Sequence, residues 1–220
     1  MLAESGETVH VIGQLWEGAE KETEEACSGN LIIHRIPFED WTTLFRPRAS
    51  SLIRSKTARD LFASDFPPQS FAWQAGLLAE RLVEDEGIDV IEAQDYEAPL
   101  YHFQLRRAQG QGPKRRPPCF VHLHSPTEFI ARHNEWNPGL RRWVMARQLE
   151  DYSISAADSW LCPSRFFARQ AEARYRLPQN VAEIIPYPLG GASAVDRDNE
   201  IWSNGSICHV GRLEKRKGYV

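Results

Sequence analysis

The stretch Cys119-Phe120-Val121-His122-Leu123-His124-Ser125-Pro126-Thr127-Glu128 decides the fold of this chain. Four of its first five residues are apolar, which predicts a buried strand that ends at His124. Ser125, Pro126 and Glu128 then form a helix-start pattern, with Ser125 as the N-cap, Pro126 at the first helical position and Glu128 closing a capping box. The stretch therefore predicts a strand, a tight turn and a helix.

The predicted position of His124 makes it a candidate functional residue. Ligands of open α/β sheets bind at the carboxyl ends of the strands, and a histidine there can act on a substrate through its ring nitrogens. A single histidine at a strand end is more often a locally satisfied turn or core residue, so the rest of the chain has to decide between the two roles. We interpret His122, on the same strand, as structural.

Helices and strands alternate on both sides of this turn. Apolar residues at i, i+4, i+7 and i+11 predict two amphipathic helices, one through Phe71, Ala75, Leu78 and Leu82 and one through Met145, Leu149, Tyr152 and Ala156. Further helices are predicted at residues 100–107 and after Ser164, which is the N-cap. Strands are predicted at residues 9–13, 30–37, 89–93, 159–162 and 181–187, and residues 17–29 are predicted to be a polar surface segment.

This alternation, with its short connections, predicts the α/β class: a doubly wound, Rossmann-like parallel sheet with helices on both faces. Asp95 and Tyr96 follow the strand at residues 89–93. Because the carboxyl ends of parallel strands share one edge, we expect both side chains at the same edge as His124.

The composition limits the class of protein. An apolar fraction of 42% and a charged fraction of 25% are those of a globular chain, and a net charge of −4 gives no case for nucleic acid binding. The four cysteines are far apart, which indicates free thiols in a reducing compartment. No apolar run approaches the roughly 20 residues of a membrane-spanning helix, and the first residues do not resemble a signal peptide. We expect a soluble cytoplasmic protein.

A basic stretch at residues 46–59 contains Arg46, Arg48, Arg54, Lys56 and Arg59, and Arg141, Arg142 and Arg147 form a second basic face. The first stretch is most simply a solvated helix face. Its alternative role is a patch for an anionic membrane surface or an acidic acceptor, which leaves peripheral membrane contact at the inner face and a lipid-linked acceptor open.

A dense cationic loop follows the last predicted strand, at residues 207–211. The loop reads Arg212-Leu213-Glu214-Lys215-Arg216-Lys217-Gly218. Arginine as a planar fork, lysine as a point charge and glycine for close backbone approach together suit a diphosphate, whereas the alternative is a basic surface turn. Residues 189–206, which are rich in glycine and polar residues, are predicted to be a linker before this strand.

With its strand, this loop resembles the opening of the C-terminal domain in retaining glycosyltransferases of the GT-B fold, of the family 4 type. In that family, Gly-Arg followed closely by Lys-Gly grips the diphosphate of a sugar nucleotide. Other segments match in the same order: residues 9–12, the Asp-Val-Ile strand at 89–91, the strand ending at His124, Glu150 with Ala157-Asp158 and Pro163-Ser164, and an exit at 185–190 that resembles Ile-Pro-Asn-Gly with Tyr-Pro in place of Asn.

The resemblance implies the N-terminal half of a GT-B fold, truncated at both ends. It divides the chain into an acceptor-side domain at residues 1–188 without its first strand, a linker at 189–206, and the first strand and phosphate loop of the donor domain at 207–220. The family's first strand with its glycine-rich loop, and its paired glutamates, would lie beyond these residues. We therefore expect that the 220 residues derive from a hexosyltransferase-type enzyme but do not transfer sugar alone.

The resemblance also implies roles for individual residues. Arg212 and Lys217 would bind the donor diphosphate, and His124 would act as the catalytic residue that orients the sugar or acceptor. Asp95 and Tyr96 are acceptor-binding candidates by position alone. The expected partners are a UDP- or GDP-sugar donor and a glycan, lipid-linked or small-molecule acceptor. No metal or cofactor is expected, since arginine and lysine meet the phosphate charge.

Two other functions compete with this one. A nucleotide-binding oxidoreductase would carry a Gly-x-Gly-x-x-Gly turn after an early strand, and the chain has none. An inactive, shortened relative that acts as a binding scaffold would use Trp16, Trp41, Trp136 and Trp143 in an exposed patch, although we expect most of them in the core. Binding of a sugar nucleotide would discriminate, because a scaffold does not need it.

Overall fold

The computed structural model of the chain describes residues 2–19, 21–37, 67–137, 139–187, 205, 211 and 214–217. The basic stretch at 46–59, Arg212, and nearly all of the predicted linker and the strand at 207–211 lie outside these residues, so those predictions stay untested. In chain order the described elements are β1 (Val9–Gln14), β2 (Thr23–Ala26), β3 (Leu31–Ile36), α1 (Pro67–Asp85), β4 (Ile91–Gln94), α2 (Tyr101–Ala108), β5 (Cys119–His122), α3 (Thr127–His133), α4 (Arg141–Ser155), β6 (Ser159–Cys162), α5 (Arg165–Tyr175) and β7 (Glu183–Ile184).

A four-stranded parallel sheet forms the centre of the fold, in the order β4-β5-β6-β7. Val121 of β5 stands opposite Ala93 of β4 and Trp160 of β6, which sets the register. Helices flank this sheet, and the mixed α/β, Rossmann-like class that the sequence predicted is confirmed. Since all four strands run in the same direction, their carboxyl ends lie at one edge.

The core lies against one face of β5. Cys119, Val121 and Leu123 alternate along the chain and are all 0% exposed, whereas Phe120 and His122, on the other face, are half-buried. These residues belong to one hydrophobic core cluster together with buried residues of α1, α2, α4 and α5, among them Phe103 of α2 and Ile154 of α4. The prediction of a buried strand here is confirmed.

A second, three-stranded sheet has the order β1-β3-β2. β1 is parallel to β3, and β2 is antiparallel to it. The prediction of a surface segment at residues 17–29 is right about exposure but missed β2, because Thr23, Glu24 and Glu25 show no apolar alternation. In the described strands no pairing joins β1 to β4, so the two sheets are separate.

The helix start predicted after β5 is wrong in its details. α3 begins at Thr127, one residue later than predicted, and no side chain caps it. The backbone N–H of Thr127 donates instead to the carboxylate of Glu150, 2.8 Å away in α4, and Glu128 pairs with Arg174 at 2.8 Å. Tertiary partners have therefore replaced the local capping box. At α5 the local signal is sufficient, because the hydroxyl oxygen of Ser164 accepts a hydrogen bond from the N–H of Phe167 at 3.2 Å.

The described cysteines and tryptophans test two further predictions. Cys27, Cys119 and Cys162 are free thiols, as predicted. Trp16 is 65% exposed, and Trp136 stacks on Trp143 with ring centroids 4.6 Å apart and both rings half-buried. The expectation of burial in the core is wrong for these three tryptophans, and Trp41 lies outside the described residues. Within the described part of the chain no helix is long and apolar enough to cross a membrane.

Candidate active site

The carboxyl edge of the four-stranded sheet brings together residues from three loops. Asp95 follows β4, His124 follows β5, and Tyr187 lies just beyond β7. His124 is exposed, whereas Asp95 is 0% exposed. The prediction that Asp95 and His124 share this edge is therefore confirmed, and the two residues occupy different depths of it.

The carboxylate of Asp95 holds the backbone of the His124 turn. Its Oδ2 accepts a hydrogen bond from the N–H of His124 at 2.9 Å, and its Oδ1 accepts one from the N–H of Ser125 at 3.2 Å. Burial raises the pKa of Asp95 to about 6, and the two backbone N–H groups oppose this rise. Both carboxylate oxygens thus serve the turn, and the contact of Asp95 with an acceptor stays a prediction.

A second buried carboxylate, Glu150 of α4, supports the same region. One of its oxygens accepts from the hydroxyl of Thr127 at 2.6 Å and from the N–H of Glu97 at 2.9 Å, while the other accepts from the N–H of Thr127. Burial raises the pKa of Glu150 to about 7, and the charge of Asp95 adds to the rise. Glu150 therefore ties the loop after β4 to the start of α3.

The loop after β4 has an unusual backbone. Glu97 and Ala98 have φ values of +63° and +47°, in the left-handed region that side chains rarely adopt. Such residues cost about 1 kcal/mol or more each and persist where the surrounding contacts enforce them. The hydrogen bond from Glu97 to Glu150 is one such contact. Tyr96 lies half-buried in this loop, and its carbonyl accepts from the side-chain amide of Gln94 at 3.5 Å.

The ring of Tyr187 contacts His124 at this edge. The hydroxyl of Tyr187 hydrogen-bonds Nδ1 of His124, and the two rings meet edge to face with centroids 5.5 Å apart. Nδ1 of His122 lies 3.3 Å from a carboxylate oxygen of Glu92, and its buried Nε2 has no hydrogen-bond partner among the described residues. A pocket of about 280 Å³ is lined by Glu92, Ala93, Gln94, His122, His124 and Tyr187.

A larger cavity, of about 580 Å³, lies at the carboxyl end of α5. Its buried carboxylate, Glu172, accepts hydrogen bonds from the backbone N–H groups of Asn180 and Ala182 at 3.0 and 3.2 Å. These contacts hold the chain that leads into β7. We therefore assign Glu172 a structural role and place the candidate site at the His124 edge.

The described part of the cationic loop lies beside α3. Lys217 is exposed within a 3-10 turn at Lys215–Lys217, and Lys215 forms an ion pair with Glu135. The amide of Asn134 donates to Glu214 at 3.4 Å. α3, which begins three residues after His124, has seven residues and hence a length of about 10 Å, so it connects the His124 turn to this contact.

Among the described residues no group of three or more histidine, cysteine, aspartate and glutamate side chains could hold a metal ion. The sequence contains one Asp-x-Asp triplet, at Asp196 and Asp198, which belongs to the predicted linker and lies outside the described residues. The expectation of a metal-free site therefore stays a prediction that rests on the charges of Arg212 and Lys217.

Sequence reasoning missed the roles of Glu150 and Tyr187. A usable signal existed for Glu150, because it lies one turn after Ala146 and one turn before Ile154, on a helix face that is apolar apart from Ser153. A charged residue on such a face is almost never buried unless it has partners. No comparable signal existed for Tyr187, whose contact with His124 joins residues 63 positions apart.

Comparison with known proteins agrees with the pattern found in the sequence. The family model described as Glycosyltransferase Family 4 matches residues 1–189, most of the described fold and all of the His124 edge. No curated protein matches the chain. With this match over most of its length, and a parallel α/β sheet that carries His124 at its carboxyl edge, the chain belongs to glycosyltransferase family 4.

Proposed function

We propose that this chain is the acceptor-side part, with the start of the donor side, of a retaining glycosyltransferase of the GT-B fold. The reaction would move a hexosyl group from a UDP- or GDP-sugar to a hydroxyl of a glycan, lipid-linked or small-molecule acceptor. The bond from the sugar to the diphosphate breaks, the nucleoside diphosphate leaves, and the acceptor oxygen forms the new bond and loses its proton. The family match supports sugar transfer, and the donor and stereochemistry belong to the proposal.

The observation that carries the proposal is the construction of the His124 turn. A buried aspartate holds its backbone and a buried glutamate holds the start of the following helix. Maintaining two carboxylates in the interior is costly, because burial disfavours their charged forms. Such an arrangement is expected where a turn must keep one geometry, as an active-site turn must in order to orient a sugar.

The residue roles follow from their chemistry. His124 would hydrogen-bond the transferred sugar or the acceptor close to the reacting carbon. Arg212 and Lys217 would bind the diphosphate and stabilise the negative charge that grows on it as the nucleotide leaves. Tyr96 would contact the acceptor from the loop after β4. In this proposal residues 1–188 form the acceptor domain, 189–206 the linker and 207–220 the opening of the donor domain.

Binding of a sugar nucleotide is the direct test. The 220-residue chain, labelled with ¹⁵N, would be titrated with UDP-glucose and with GDP-mannose while amide resonances are followed. We expect one of the two to shift resonances near Lys217 and His124. Lys217→Ala should weaken that binding by about tenfold, the effect of one lost charge-assisted hydrogen bond.

Lys114 offers a matched control, since it is an exposed lysine on the loop between α2 and β5. Lys114→Ala should leave the affinity unchanged. If neither nucleotide sugar binds at millimolar concentration, the proposal loses its support and a non-enzymatic binding role becomes the better interpretation. Equal affinities for Lys217→Ala and the unmodified chain would remove Lys217 from the diphosphate site.

A further inference from the structure

Tyr187 reaches His124 through the order of the strands. β7 pairs with β6, and the N–H of Ile185 extends that pairing by donating to the carbonyl of Cys162 at 2.9 Å. Tyr187 follows two residues later and is 51% exposed at the carboxyl edge. The segment at residues 185–188 reads Ile-Pro-Tyr-Pro, so this exit from the sheet places a phenol at the carboxyl edge.

His124 is held at two separate places. Its backbone N–H donates to Asp95 at 2.9 Å, and the preceding residue, Leu123, donates its N–H to the carbonyl of Leu161 at 2.7 Å. Its ring meets Tyr187 through the hydrogen bond to Nδ1 and through edge-to-face packing at 5.5 Å. The backbone contacts fix the position of the His124 backbone, and the contact with Tyr187 fixes the orientation of its ring.

The hydrogen bond to Nδ1 also bears on the tautomer of His124. A neutral imidazole has one nitrogen that donates and one that accepts. Burial raises the pKa of the Tyr187 hydroxyl above its ordinary value, so this group keeps its proton and can donate it in a hydrogen bond. When Tyr187 donates to Nδ1, the ring proton of His124 must be on Nε2.

We propose that Tyr187 is a positioning residue that sets the ring orientation and the tautomer of His124, with the proton on Nε2. His124 then offers an N–H donor to a sugar or acceptor oxygen and does not serve as the base that removes the acceptor proton. The tautomer rests on the contact between Tyr187 and Nδ1 with Tyr187 as the donor, whereas its use in sugar transfer rests on the proposed function.

Tyr187→Phe separates the two contributions of the residue. The ring stays, and with it the edge-to-face contact with His124 and the stacking on His122, whose centroid lies 6.1 Å away at an interplanar angle of 26°. Only the hydroxyl is lost. Tyr152→Phe is the matched control, because Tyr152 is a half-buried tyrosine of α4 that packs edge to face on Tyr101 at 5.3 Å.

The test uses the 220-residue chain with ¹⁵N-labelled histidine at pH 8, where a histidine of ordinary pKa, about 6.5, is neutral. We expect the unmodified chain to show the His124 Nδ1 resonance as an unprotonated, hydrogen-bonded nitrogen and Nε2 as protonated. Tyr187→Phe should move the Nδ1 resonance towards that of a solvated ring and raise the fraction of the other tautomer by about 2- to 10-fold, the worth of one hydrogen bond. Tyr152→Phe should leave both resonances in place.

A His124 ring protonated on Nδ1 in the unmodified chain would overturn the proposal, because Tyr187 would then accept the hydrogen bond. Identical His124 spectra for Tyr187→Phe and the unmodified chain would also overturn it. Thermal unfolding of the variant checks that it folds. Since no substrate is present, failure of nucleotide-sugar binding leaves this result intact and removes only its use in catalysis.

Discussion

Both sheets of this fold contain parallel strand pairs, but the two sheets differ in how helices cover them. In the four-stranded sheet, Val121 lies within β5 and Leu123 directly follows it. Both side chains are 0% exposed and belong to the hydrophobic core that the helices share. In the three-stranded sheet only Ile36 is buried, and Val11 of β1 is 44% exposed. In the described part of the chain, coverage by helices therefore distinguishes the two sheets, and we expect most of the stability in the four-stranded sheet, which also carries the candidate site.

Leucine truncation should reveal this difference most strongly. Leu123→Ala removes a fully buried side chain, so we expect the free energy of unfolding to fall by about 3 kcal/mol. Leu31→Ala, the same change in half-buried β3, should cost about 1 kcal/mol. Urea denaturation of the 220-residue chain measures both. Equal losses would show that the two sheets are equally important for stability.

The buried glutamate supplies the next largest effect. Glu150→Ala leaves the N–H groups of Glu97 and Thr127 and the hydroxyl of Thr127 without their acceptor, which we expect to cost about 2 kcal/mol. Glu24→Ala, in β2, breaks only an exposed ion pair with Arg35 and should cost less than about 1 kcal/mol. Urea denaturation measures both losses in the free energy of unfolding. A loss for Glu24→Ala as large as that for Glu150→Ala would contradict the expected difference between the two sheets.

Titration of Glu150 should make the stability depend on pH. Its pKa is about 7 in the folded chain against an ordinary value of 4.5, so between these values the unfolded chain releases its proton more readily. The contribution of Glu150 is therefore complete below pH 4.5 and is lost as the pH rises through 7. Relative to Glu150→Gln, the unmodified chain should lose up to about 3 kcal/mol across this window, at about 1.4 kcal/mol for each pH unit between the two pKa values.

The experiment compares the unmodified chain with Glu150→Gln because His102 changes the stability with pH in the opposite direction. Burial lowers the pKa of His102 to about 4, so its contribution is present above the ordinary histidine value and is lost as the pH falls. Both proteins contain His102, and its effect cancels in the comparison. A difference that stays constant from pH 4.5 to 7 would contradict the assigned pKa of Glu150.

The smallest expected effect belongs to the three-stranded sheet. Burial, and then the neighbouring His10, lowers the pKa of His34, and the two rings stack with centroids 5.3 Å apart. The stability from His34 is thus present above its ordinary pKa and is lost as the pH falls. Between pH 7.5 and 5.5, hydrogen-exchange protection of β1 and β3 should drop about 2- to 3-fold relative to β5 after correction for intrinsic rates. The His10→Asn variant should reduce this drop, whereas an unchanged ratio would exclude the histidine pair as its cause.

Local patterns in the sequence predicted much of the fold. The run of apolar residues found β5, the helical period found α1 and α4, and Ser164 correctly marks the start of α5. These succeed because the interactions involved lie within a few residues of one another. The predicted cap at Ser125 fails because two buried carboxylates, one from the loop after β4 and one from α4, accept hydrogen bonds from the backbone groups of the turn.

By itself, the sequence determined the α/β class, the order of most of its elements, the family resemblance and the placement of His124 at the carboxyl edge of a strand. Only the tertiary structure decided what surrounds His124: Asp95 from 29 positions before it and Tyr187 from 63 positions after it. A strand or helix is specified by neighbours along the chain, and its pattern is visible there. A hydrogen bond between distant residues exists only once the order of the strands and the packing of the helices have brought its two groups together.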